Sequence, residues 1–404
     1  MQNQSLTNMT REQRGMIIAK TFQITKNEKG YWKVPSQSGH GYYLVNLNRH
    51  EPACSCPDCE LRKVKCKHIF AVEFYLKREF DNKGNMTETK AVKITYSQNW
   101  TAYNKAQTGE LRLFDVLLKD LVNNLDEPEQ RMGRPKLSAK DTMFCAIQKV
   151  YSQLSSRRAY SLYANAEEKA KIKDAPNFNA INKFLNREDI TPILHNLLTL
   201  TALPLKSVET TFAPDSSGFR TTQFNEYCKE KHGTDKYHIW VKAHILVGTK
   251  TNIVASARIT EGEVADCPQF APLVNEAHEN GFNIKEIPAD KGYSSRDNYS
   301  LAQSIGATAF IPFKSNATGK SRGSMIWGQM YHYFMYRHDE FLQHYHQRSN
   351  VESAFNMIKA KFGDKLRSKN KTAQHNELLC KLIAHNIVVL IHEMHELGIK
   401  PEFN

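Results

Sequence analysis

The sequence contains few of the residues that are typical of non-globular chains. Glycine occurs 19 times and proline 14 times in 404 residues, which excludes a collagen-like repeat and a low-complexity disordered chain. Cysteine occurs eight times, too rarely for a scaffold held together by disulfides. Hydrophobic residues make up 40% of the chain, so we expect ordinary globular packing in roughly two to four domains.

Long apolar runs are also missing. The most apolar stretch, from Leu378 to Ile391, is interrupted by Lys381, His385 and Asn386 and is shorter than the roughly 20 apolar residues of a membrane span. We expect it to form a buried helix. The sequence does not begin with a basic segment followed by apolar residues, so no secretory signal is predicted and we expect a cytosolic protein without a membrane partner.

Acidic residues are outnumbered by basic ones. The chain has 55 lysines and arginines against 42 aspartates and glutamates, a formal net charge of +13. A surplus of this size favours a polyanionic partner, and nucleic acid is the commonest one.

The hydrophobic pattern changes along the chain and predicts an α/β protein. Alternating runs at 30–34 and 41–47 predict strands of a small sheet, followed by a helix at 68–76 and a polar linker at 81–89. From about residue 108 to 205 the period is helical, with Ser138 placed to cap a helix that follows a basic loop at 133–136. This basic loop is either a plain connection before the helix or a segment that enters the minor groove of DNA.

Beyond residue 205 the pattern predicts strands at 209–214, 237–246, 252–259, 284–289 and 307–312, with helices between and after them. Such an order describes a mixed sheet with flanking helices. We therefore predict a small N-terminal α+β module (1–100), a helical domain (101–205) and a domain built on the mixed sheet (206–404).

Four metal-ligand residues lie within the 15 residues from 54 to 68. Cys54 and Cys56 are followed by Cys66 and His68, a C-x-C and C-x-H arrangement that supplies the four ligands of a tetrahedral Zn²⁺. With the neighbouring strands and helix, this spacing resembles the SWIM zinc finger over residues 30–78. Cys59 is a competing ligand, and buried thiols without a metal are the other alternative. Whether the module binds DNA or protein stays open.

Three acidic residues occur where a sheet is expected to expose them. Asp215 follows the run at 210–214, Asp290 follows the run at 284–289, and Glu352 lies at the beginning of a long helical pattern. Carboxylates at the rim of a sheet can bind Mg²⁺ without filling its coordination shell, which is what phosphodiester chemistry needs. We therefore predict these three residues as catalytic ligands of Mg²⁺ or Mn²⁺.

The helical pattern around Glu352 places four functional side chains together. At about 100° per residue, one arc holds Tyr345, Arg348, Glu352 and Lys359. The adjacent arc is apolar and holds Val351, Phe355, Ile358 and Phe362. The sequence therefore predicts a helix that packs one face on the sheet and presents the neighbouring face to a common site.

This Tyr-x2-Arg-x3-Glu-x6-Lys spacing resembles the YREK signature of bacterial and archaeal insertion-sequence transposases of the DDE class. Residues 290–293, Asp-Lys-Gly-Tyr, match the D-x-G-[YF] motif of that family, and residues 215–219 resemble the region of its first aspartate. The resemblance spans about residues 130–395. It implies an RNase H-like catalytic core that cuts and joins transposon ends with Mg²⁺, assembled as a homodimer or higher oligomer on paired ends.

The resemblance also implies roles for single residues. Asp215 would contact two metal ions, and Asp290 and Glu352 would each complete one of them. Tyr345 would position the DNA strand. Arg348 and Lys359 would hold phosphates near the cleavage site. Independently of the resemblance, the basic run that follows predicts a continuing DNA path along Lys361, Lys365, Arg367 and Lys369, with a merely solvated run of charges as the alternative. Three residues near family patterns are either supports of the site or simply structural: Lys242, His244 and Asp266.

We predict a DNA transposase in the prokaryotic cytoplasm, associated with the nucleoid, whose partners are double-stranded transposon ends and target DNA. The helical domain would bind the ends. One alternative is a domesticated or regulatory DNA-binding protein without catalysis, and another is an RNase H-like nuclease that cuts without joining. Only 61 residues separate Asp290 from Glu352, which leaves little room for a large β insertion, so the route of end processing stays open.

Overall fold

The computed structural model describes residues 10–27, 30–36, 41–47, 52–62, 64–80, 86–90, 99–127, 137–221 and 240–403. The basic loop predicted at 133–136 lies outside these residues. Contacts divide the chain into two compact units, residues 1–97 and residues 98–404.

The first unit is a small α+β fold. Its described helices and strands, in chain order, are α1 (Arg11–Thr21), β1 (Thr25–Lys26), β2 (Trp32–Pro35), β3 (Tyr42–Asn46), β4 (Ala53–Cys54), α2 (Pro57–Arg62), α3 (Lys67–Tyr75), β5 (Leu76–Phe80) and β6 (Met86–Lys90). Strands β1 to β4 form an antiparallel sheet in sequential order. The strands predicted around residues 30–47 and the helix predicted at 68–76 are therefore confirmed.

The core of this unit follows from the alternation of its strands. In β2, Trp32 and Val34 are buried, whereas Lys33 between them is partly exposed, as expected for a strand with one face on a core. Helix α1 packs against α3 at Gly15, where a Cβ atom would lie 2.6 Å from the Cβ of Phe70. Glycine at this position lets the two helices approach closely.

Residues 81–85 of the linker predicted at 81–89 lie outside the described residues, and the prediction is wrong for the remaining ones. Residues 86–90 form β6, which pairs antiparallel with β5 in the register Leu76 to Lys90 and Phe80 to Met86. The segment is polar and lacks an apolar alternation, so the pairing partner and not the local pattern makes it a strand.

The second unit contains the remaining elements. In chain order these are α4 (Trp100–Asn123), α5 (Ala139–Ser152), α6 (Ser156–Glu168), α7 (Phe178–Leu185), α8 (Ile190–Ala202), β7 (Phe212–Arg220), β8 (Trp240–Gly248), β9 (Val254–Glu261), α9 (Phe270–Glu279), β10 (Glu286–Pro288), α10 (Arg296–Ser304), β11 (Thr308–Phe310), α11 (Met325–Tyr336), α12 (His338–Tyr345), α13 (Ser349–Phe362) and α14 (Lys371–Glu396).

Helix α5 begins where the sequence predicts. Ser138 caps α5 by accepting a hydrogen bond from the backbone N–H of Asp141 at 3.1 Å, and the helix buries Met143, Ile147 and Val150. These helices and the sheet contribute to one continuous hydrophobic core. The boundary near residue 205, between an end-binding and a catalytic domain, stays a prediction.

Helix α14 runs through that core. By length and composition it could cross a membrane, but 83% of its most apolar window is buried inside the protein, where it packs on α4, α5 and α8. The polar residues that interrupt its sequence are buried with partners. Asn386, for example, binds both backbone groups of Val254 at 2.9 and 2.8 Å. The expected buried helix is therefore observed.

The sheet of this unit is mixed, as predicted. Strands β7, β8 and β9 are antiparallel neighbours, and β10 and β11 form a parallel pair. A parallel bridge between Thr211 and Glu286 joins β10 to the beginning of β7. The resulting spatial order is β9-β8-β7-β10-β11. It places the segments that carry Asp215 and Asp290 beside each other.

Candidate active site and metal centre

Asp215 lies in the middle of strand β7 and not at its end. It is opposite Ile245 in β8, and the pairing continues for five more residues to Arg220 opposite Trp240. The prediction of a strand end at residue 214 is therefore wrong. Ser216, Ser217 and Gly218 resemble a turn in sequence, but at Gly218 a Cβ atom would lie only 3.0 Å from the indole of Trp240, so the glycine accommodates the neighbouring strand.

Asp290 follows the adjacent strand β10, as predicted. Its side chain accepts a hydrogen bond from the backbone N–H of Lys291 at 2.7 Å and thereby caps a single 3₁₀ turn, Lys291–Tyr293. Tyr293 at the end of that turn is buried, and its hydroxyl has no hydrogen-bond partner among the described residues. Burial raises the pKa of Tyr293, and the charges of Asp266, Asp215 and Asp290 raise it further. The hydroxyl therefore lies among carboxylates.

Glu352 lies in the first turn of helix α13, but the chain before it is not one continuous helix. Tyr345 ends α12, and a 3₁₀ turn, His346–Arg348, connects it to α13. The predicted arc from Tyr345 to Lys359 is thus interrupted. The apolar arc is as expected. Its members in α13 are all buried: Val351, Phe355, Ile358 and Phe362.

Arg348 connects two of the three predicted metal ligands. Its Nη1 donates a hydrogen bond to Oε1 of Glu352 at 2.9 Å, and its Nη2 lies 3.7 Å from Oδ2 of Asp215. Its Nε is buried and has no hydrogen-bond partner among the described residues. The guanidinium therefore lies where the carboxylates of strand β7 and helix α13 approach each other.

The charges of both other carboxylates act on Asp215. Burial raises the pKa of Asp215, the positive charge of Arg348 lowers it, and the negative charges of Glu352 and Asp290 raise it. The three carboxylates supply hard oxygen ligands, the type that Mg²⁺ and Mn²⁺ prefer, so their chemistry fits a divalent ion. Among the described residues, however, only the cysteine and histidine cluster of the first unit has its ligand atoms all within 4.8 Å of one another.

A fourth carboxylate lies beside this set. Asp266 accepts hydrogen bonds from Nζ of Lys242 at 2.6 Å and from Oγ of Ser216 at 2.7 Å. Burial raises the pKa of Asp266, but these two hydrogen bonds lower it by more, so its pKa is below the ordinary value. The structure thus connects Lys242 and Asp266 to the strand that carries Asp215. Nothing in the sequence indicated that Ser216 would be part of this contact.

His244 is fully buried next to Asp266. Its Nδ1 lies 3.3 Å from Oδ1 of Asp266, and its Nε2 is 2.9 Å from Oγ1 of Thr260. Burial lowers the pKa of His244 to about 4. The imidazole is therefore neutral at pH 7.

The predicted DNA-contacting residues fall into two groups. Lys359 donates to Oγ of Ser217 at 2.7 Å, and Lys361 donates to both carboxylate oxygens of Glu110, which is buried. By contrast, three members of the basic run are exposed to solvent: Lys365, Arg367 and Lys369. The structure therefore leaves those three accessible to a ligand and places Lys361 against the core. Neither Glu110 nor Ser217 was predicted from the sequence, because no local pattern reveals a partner more than a hundred residues away.

The four predicted zinc ligands come together in the first unit. The sulfurs of Cys54, Cys56 and Cys66 and a ring nitrogen of His68 all lie within 4.8 Å of one another, and all four residues are buried. Nδ1 of His68 is 3.8 Å from Sγ of Cys54 and 3.9 Å from Sγ of Cys66. A tetrahedral zinc ion separates sulfur and nitrogen ligands by about 3.6 Å, so the cluster fits that ion.

The thiol chemistry of this cluster also suits a metal. Hydrogen bonds from Cys54 and His68 lower the pKa of Cys66, while the same contact with Cys66 raises the pKa of Cys54. The pair thus shares its negative charge at Cys66, and the thiolate is the form that binds zinc. Cys59 is partly exposed in α2 and is not a member of the cluster. The arrangement with Cys54 as a ligand is thus the one that the geometry favours over the alternative with Cys59.

The part of the chain that carries the three carboxylates is similar to a known protein family. Residues 206–387 match the family model of the transposase DDE domain. This region contains Asp215, Asp290 and Glu352 together with Arg348 and Lys359, and the match supports the DDE transposase class that the sequence predicted. The YREK type, the SWIM finger and the roles of single residues stay predictions.

Among solved structures, the chain is similar to a cryo-EM structure of the piggyBac transposase in a synaptic complex with hairpin DNA. The two share 11% sequence identity with a TM-score of 0.36, over 75% of this chain and 77% of that one.

Proposed function

We propose that this chain is a DNA transposase that binds the ends of an insertion sequence and catalyses metal-dependent cleavage and strand transfer. The observation that supports this best is the arrangement of Asp215 and Glu352 on one guanidinium, with the charge of Asp290 nearby, inside the region that matches the transposase DDE domain. Carboxylates on two neighbouring strands and one helix are suited to holding divalent ions for phosphoryl transfer.

In this proposal Asp215, the most central carboxylate, would hold two Mg²⁺ ions, while Asp290 and Glu352 would each complete one of them. When bound, the ions supply a Lewis acid for the attacking and leaving oxygens of a phosphodiester. Arg348 is placed to exchange its carboxylate partners for a DNA phosphate, since a guanidinium binds both anions with the same fork of N–H groups. Lys359, at the opposite end of α13, would hold a second phosphate, and Tyr345 would position the strand.

The fold proposal is an RNase H-like core of the YREK type. It is supported by the strand order β9-β8-β7-β10-β11, in which three antiparallel strands are followed by two parallel ones, and by a first aspartate on the central strand. The proposed partners are double-stranded transposon ends and target DNA, and a homodimer or higher oligomer on paired ends.

The function is tested with the purified chain, Mg²⁺ and a plasmid that carries the DNA flanking the gene. We expect cleavage and joining by the wild type, and neither by Glu352→Gln, whereas the exposed carboxylate variant Glu188→Gln should behave as wild type. Cleavage without joined products would favour the nuclease alternative. Specific binding without cleavage would favour the regulatory one. A Glu352→Gln protein that cuts at the wild-type rate would contradict the assignment.

We further propose that the first unit is a SWIM-like zinc finger with Cys54, Cys56, Cys66 and His68 as ligands. Metal analysis of the purified chain should give one zinc per molecule, and Cys66→Ser should lose it because that residue approaches both Cys54 and His68. Cys59→Ser, which alters a thiol outside the cluster, is the matched control and should keep its zinc. Loss of zinc from Cys59→Ser but not from Cys66→Ser would contradict this ligand set.

A further inference from the structure

An open cavity of about 280 Å³ lies in the second unit, between the segments that contain residues 294–296 and 314–327. Its lining is strongly basic. Three cations, Arg296, Lys314 and Arg322, face it together with the polar side chains of Ser294 and Asn316, and no aspartate or glutamate lines it. None of the three cations forms an ion pair with a carboxylate in the described part of the chain. Within the described ranges, the positive charge of the cavity is therefore not neutralised by carboxylates of the protein.

The guanidinium of Arg296 is held in place by an aromatic ring and two backbone carbonyls. Its guanidinium lies 4.6 Å from the ring centroid of Trp327, and it donates from Nε to the carbonyl of Ser321 at 3.2 Å and from Nη2 to the carbonyl of Lys320 at 3.0 Å. Trp327 is buried and donates its own indole N–H to the carbonyl of Thr318 at 2.8 Å. Because its neighbours fix the guanidinium, binding an anion would cost little side-chain entropy.

The chemistry of the cavity suits one class of ligand. Phosphate oxygens meet the requirements of the cations around it, because guanidinium and ammonium groups each donate strong, charge-assisted hydrogen bonds to phosphate.

The position of the cavity suggests where that phosphate comes from. Ser294 follows the 3₁₀ turn Lys291–Tyr293 that Asp290 caps, so its Cα lies within about 14 Å of the Cα of Asp290 even if the chain between them were fully extended. A DNA strand advances about 3.4 Å per nucleotide along its axis. A strand that runs from the carboxylates toward this cavity would therefore reach it within roughly four nucleotides of the cleaved bond.

We propose that the cavity lined by Arg296, Lys314 and Arg322 binds a backbone phosphate of the DNA strand that is held at Asp215, Asp290 and Glu352. This inference rests on the proposed function and adds a DNA-binding site that the signature residues do not include. The site does not distinguish one DNA sequence from another, because a phosphate is common to every nucleotide. Its contribution is to fix the position of the strand relative to the carboxylates.

The test is the salt dependence of binding to a labelled DNA duplex by the full chain. The double variant Lys314→Ala with Arg322→Asn removes two of the cations. Asparagine suits the positive φ of 43° at residue 322, so the backbone there is retained. We expect about tenfold weaker binding and a salt slope lower by about 0.9, the value for one phosphate contact. Thermal unfolding measured in parallel should show an unchanged fold.

The matched control is Lys320→Ala. Lys320 is exposed in the same segment, but its side chain does not line the cavity, so both affinity and slope should stay at the wild-type values. An equal loss in Lys320→Ala would show only a general positive field and would overturn the proposal. An unchanged slope in the double variant would also overturn it, while wild-type cleavage of DNA would leave the proposed function intact.

Two further outcomes separate the remaining possibilities. If inorganic phosphate raises the unfolding temperature of the wild type but not of the double variant, and DNA binding is the same in both, the cavity serves a free phosphate compound and the DNA proposal is wrong. If the wild type binds no DNA at all, both the cavity proposal and the proposed function fail.

Discussion

Arg348 donates a hydrogen bond to Glu352, the residue one helical turn further along, at 2.9 Å, and the same guanidinium approaches Asp215 to 3.7 Å. Two of the three proposed metal ligands thus have a positively charged partner from the protein itself. A divalent ion and this guanidinium compete for the same carboxylate oxygens. Removing the guanidinium should therefore change the affinity of the carboxylates for a metal ion.

We expect Arg348→Gln to bind Mn²⁺ about tenfold more tightly than the wild type and to cleave DNA more slowly. The affinity rises because removing the cation increases repulsion among the carboxylates, and the ion relieves that repulsion. Calorimetric titration with Mn²⁺ measures it. Arg337→Gln is the control, since Arg337 pairs with exposed Glu340 and with none of the three carboxylates, so this variant should bind Mn²⁺ as the wild type does. Weaker Mn²⁺ binding by Arg348→Gln would argue against the competition.

The basic run after α13 should separate stability from DNA binding. Lys361→Ala leaves the buried carboxylate of Glu110 without its cation and should destabilise the fold by about 3–5 kcal/mol. The exposed pair Lys365→Ala with Lys369→Ala should instead keep the unfolding temperature and lower the salt slope of duplex binding by about 1.8. Thermal unfolding and gel-shift titrations at several salt concentrations decide it. A normal slope in the double variant would remove this run from the DNA path.

Two helical glycines should respond oppositely to alanine. At Gly15 a Cβ atom would lie 2.6 Å from the Cβ of Phe70 and 2.8 Å from the carbonyl oxygen of Lys67, so Gly15→Ala should push α1 away from α3 and cost about 1–3 kcal/mol. At Gly109 the nearest atom is 3.5 Å away, so Gly109→Ala should stabilise α4 by about 0.5–1 kcal/mol. Because α3 carries His68, chelators should also remove zinc faster from Gly15→Ala. Equal unfolding temperatures for the two variants would contradict the packing.

Stability should fall in mild acid because of His385 in α14. Burial lowers the pKa of His385 to about 4, below the ordinary value near 6.5, and its Nε2 donates to the carbonyl of Asn252 at 2.9 Å. A depressed histidine pKa means that the unfolded chain binds more protons between these values. The stabilisation is therefore complete above about pH 6.5 and is lost as the pH falls toward 4, with a slope on the order of 1 kcal/mol per pH unit.

Urea unfolding at several pH values measures this slope. His385→Gln keeps a donor for the Asn252 carbonyl but cannot titrate, so its stability should depend less on pH in that window. His195 and His244 share the same depressed pKa of about 4 and should maintain part of the slope. An identical pH profile for the wild type and His385→Gln would contradict the assignment of the effect to His385.

The sequence predicted those parts of the site that depend on local spacing. Cys54, Cys56, Cys66 and His68 lie close together in the chain, so a turn and one helix are enough to bring them to a common point. The capping of α5 by Ser138 and the buried arc of α13 also follow from residues within about three helical turns of each other. Local patterns are reliable when the geometry that they specify is itself local.

The features that the sequence did not predict depend on distant partners. Strand β7 continues through Ser216, Ser217 and Gly218 because β8 pairs with it along its whole length, and no property of those three residues indicates this. In the sequence, Lys361 matches the pattern of a phosphate-binding lysine. In the structure it is paired with Glu110, which lies in a helix about 250 residues earlier in the chain. A charge pattern identifies cations but not the anions that neutralise them.

The central claim is that Asp215, Asp290 and Glu352 hold divalent metal ions. Its most direct test is anomalous scattering from crystals of the full chain soaked in Mn²⁺, with Asp290→Asn crystals treated identically. The account predicts anomalous peaks within bonding distance of carboxylate oxygens from all three residues, with Arg348 displaced from Glu352, and weaker or missing peaks in Asp290→Asn. Full Mn²⁺ binding elsewhere in the protein, with Arg348 still on Glu352 and no peak at these carboxylates, would contradict it.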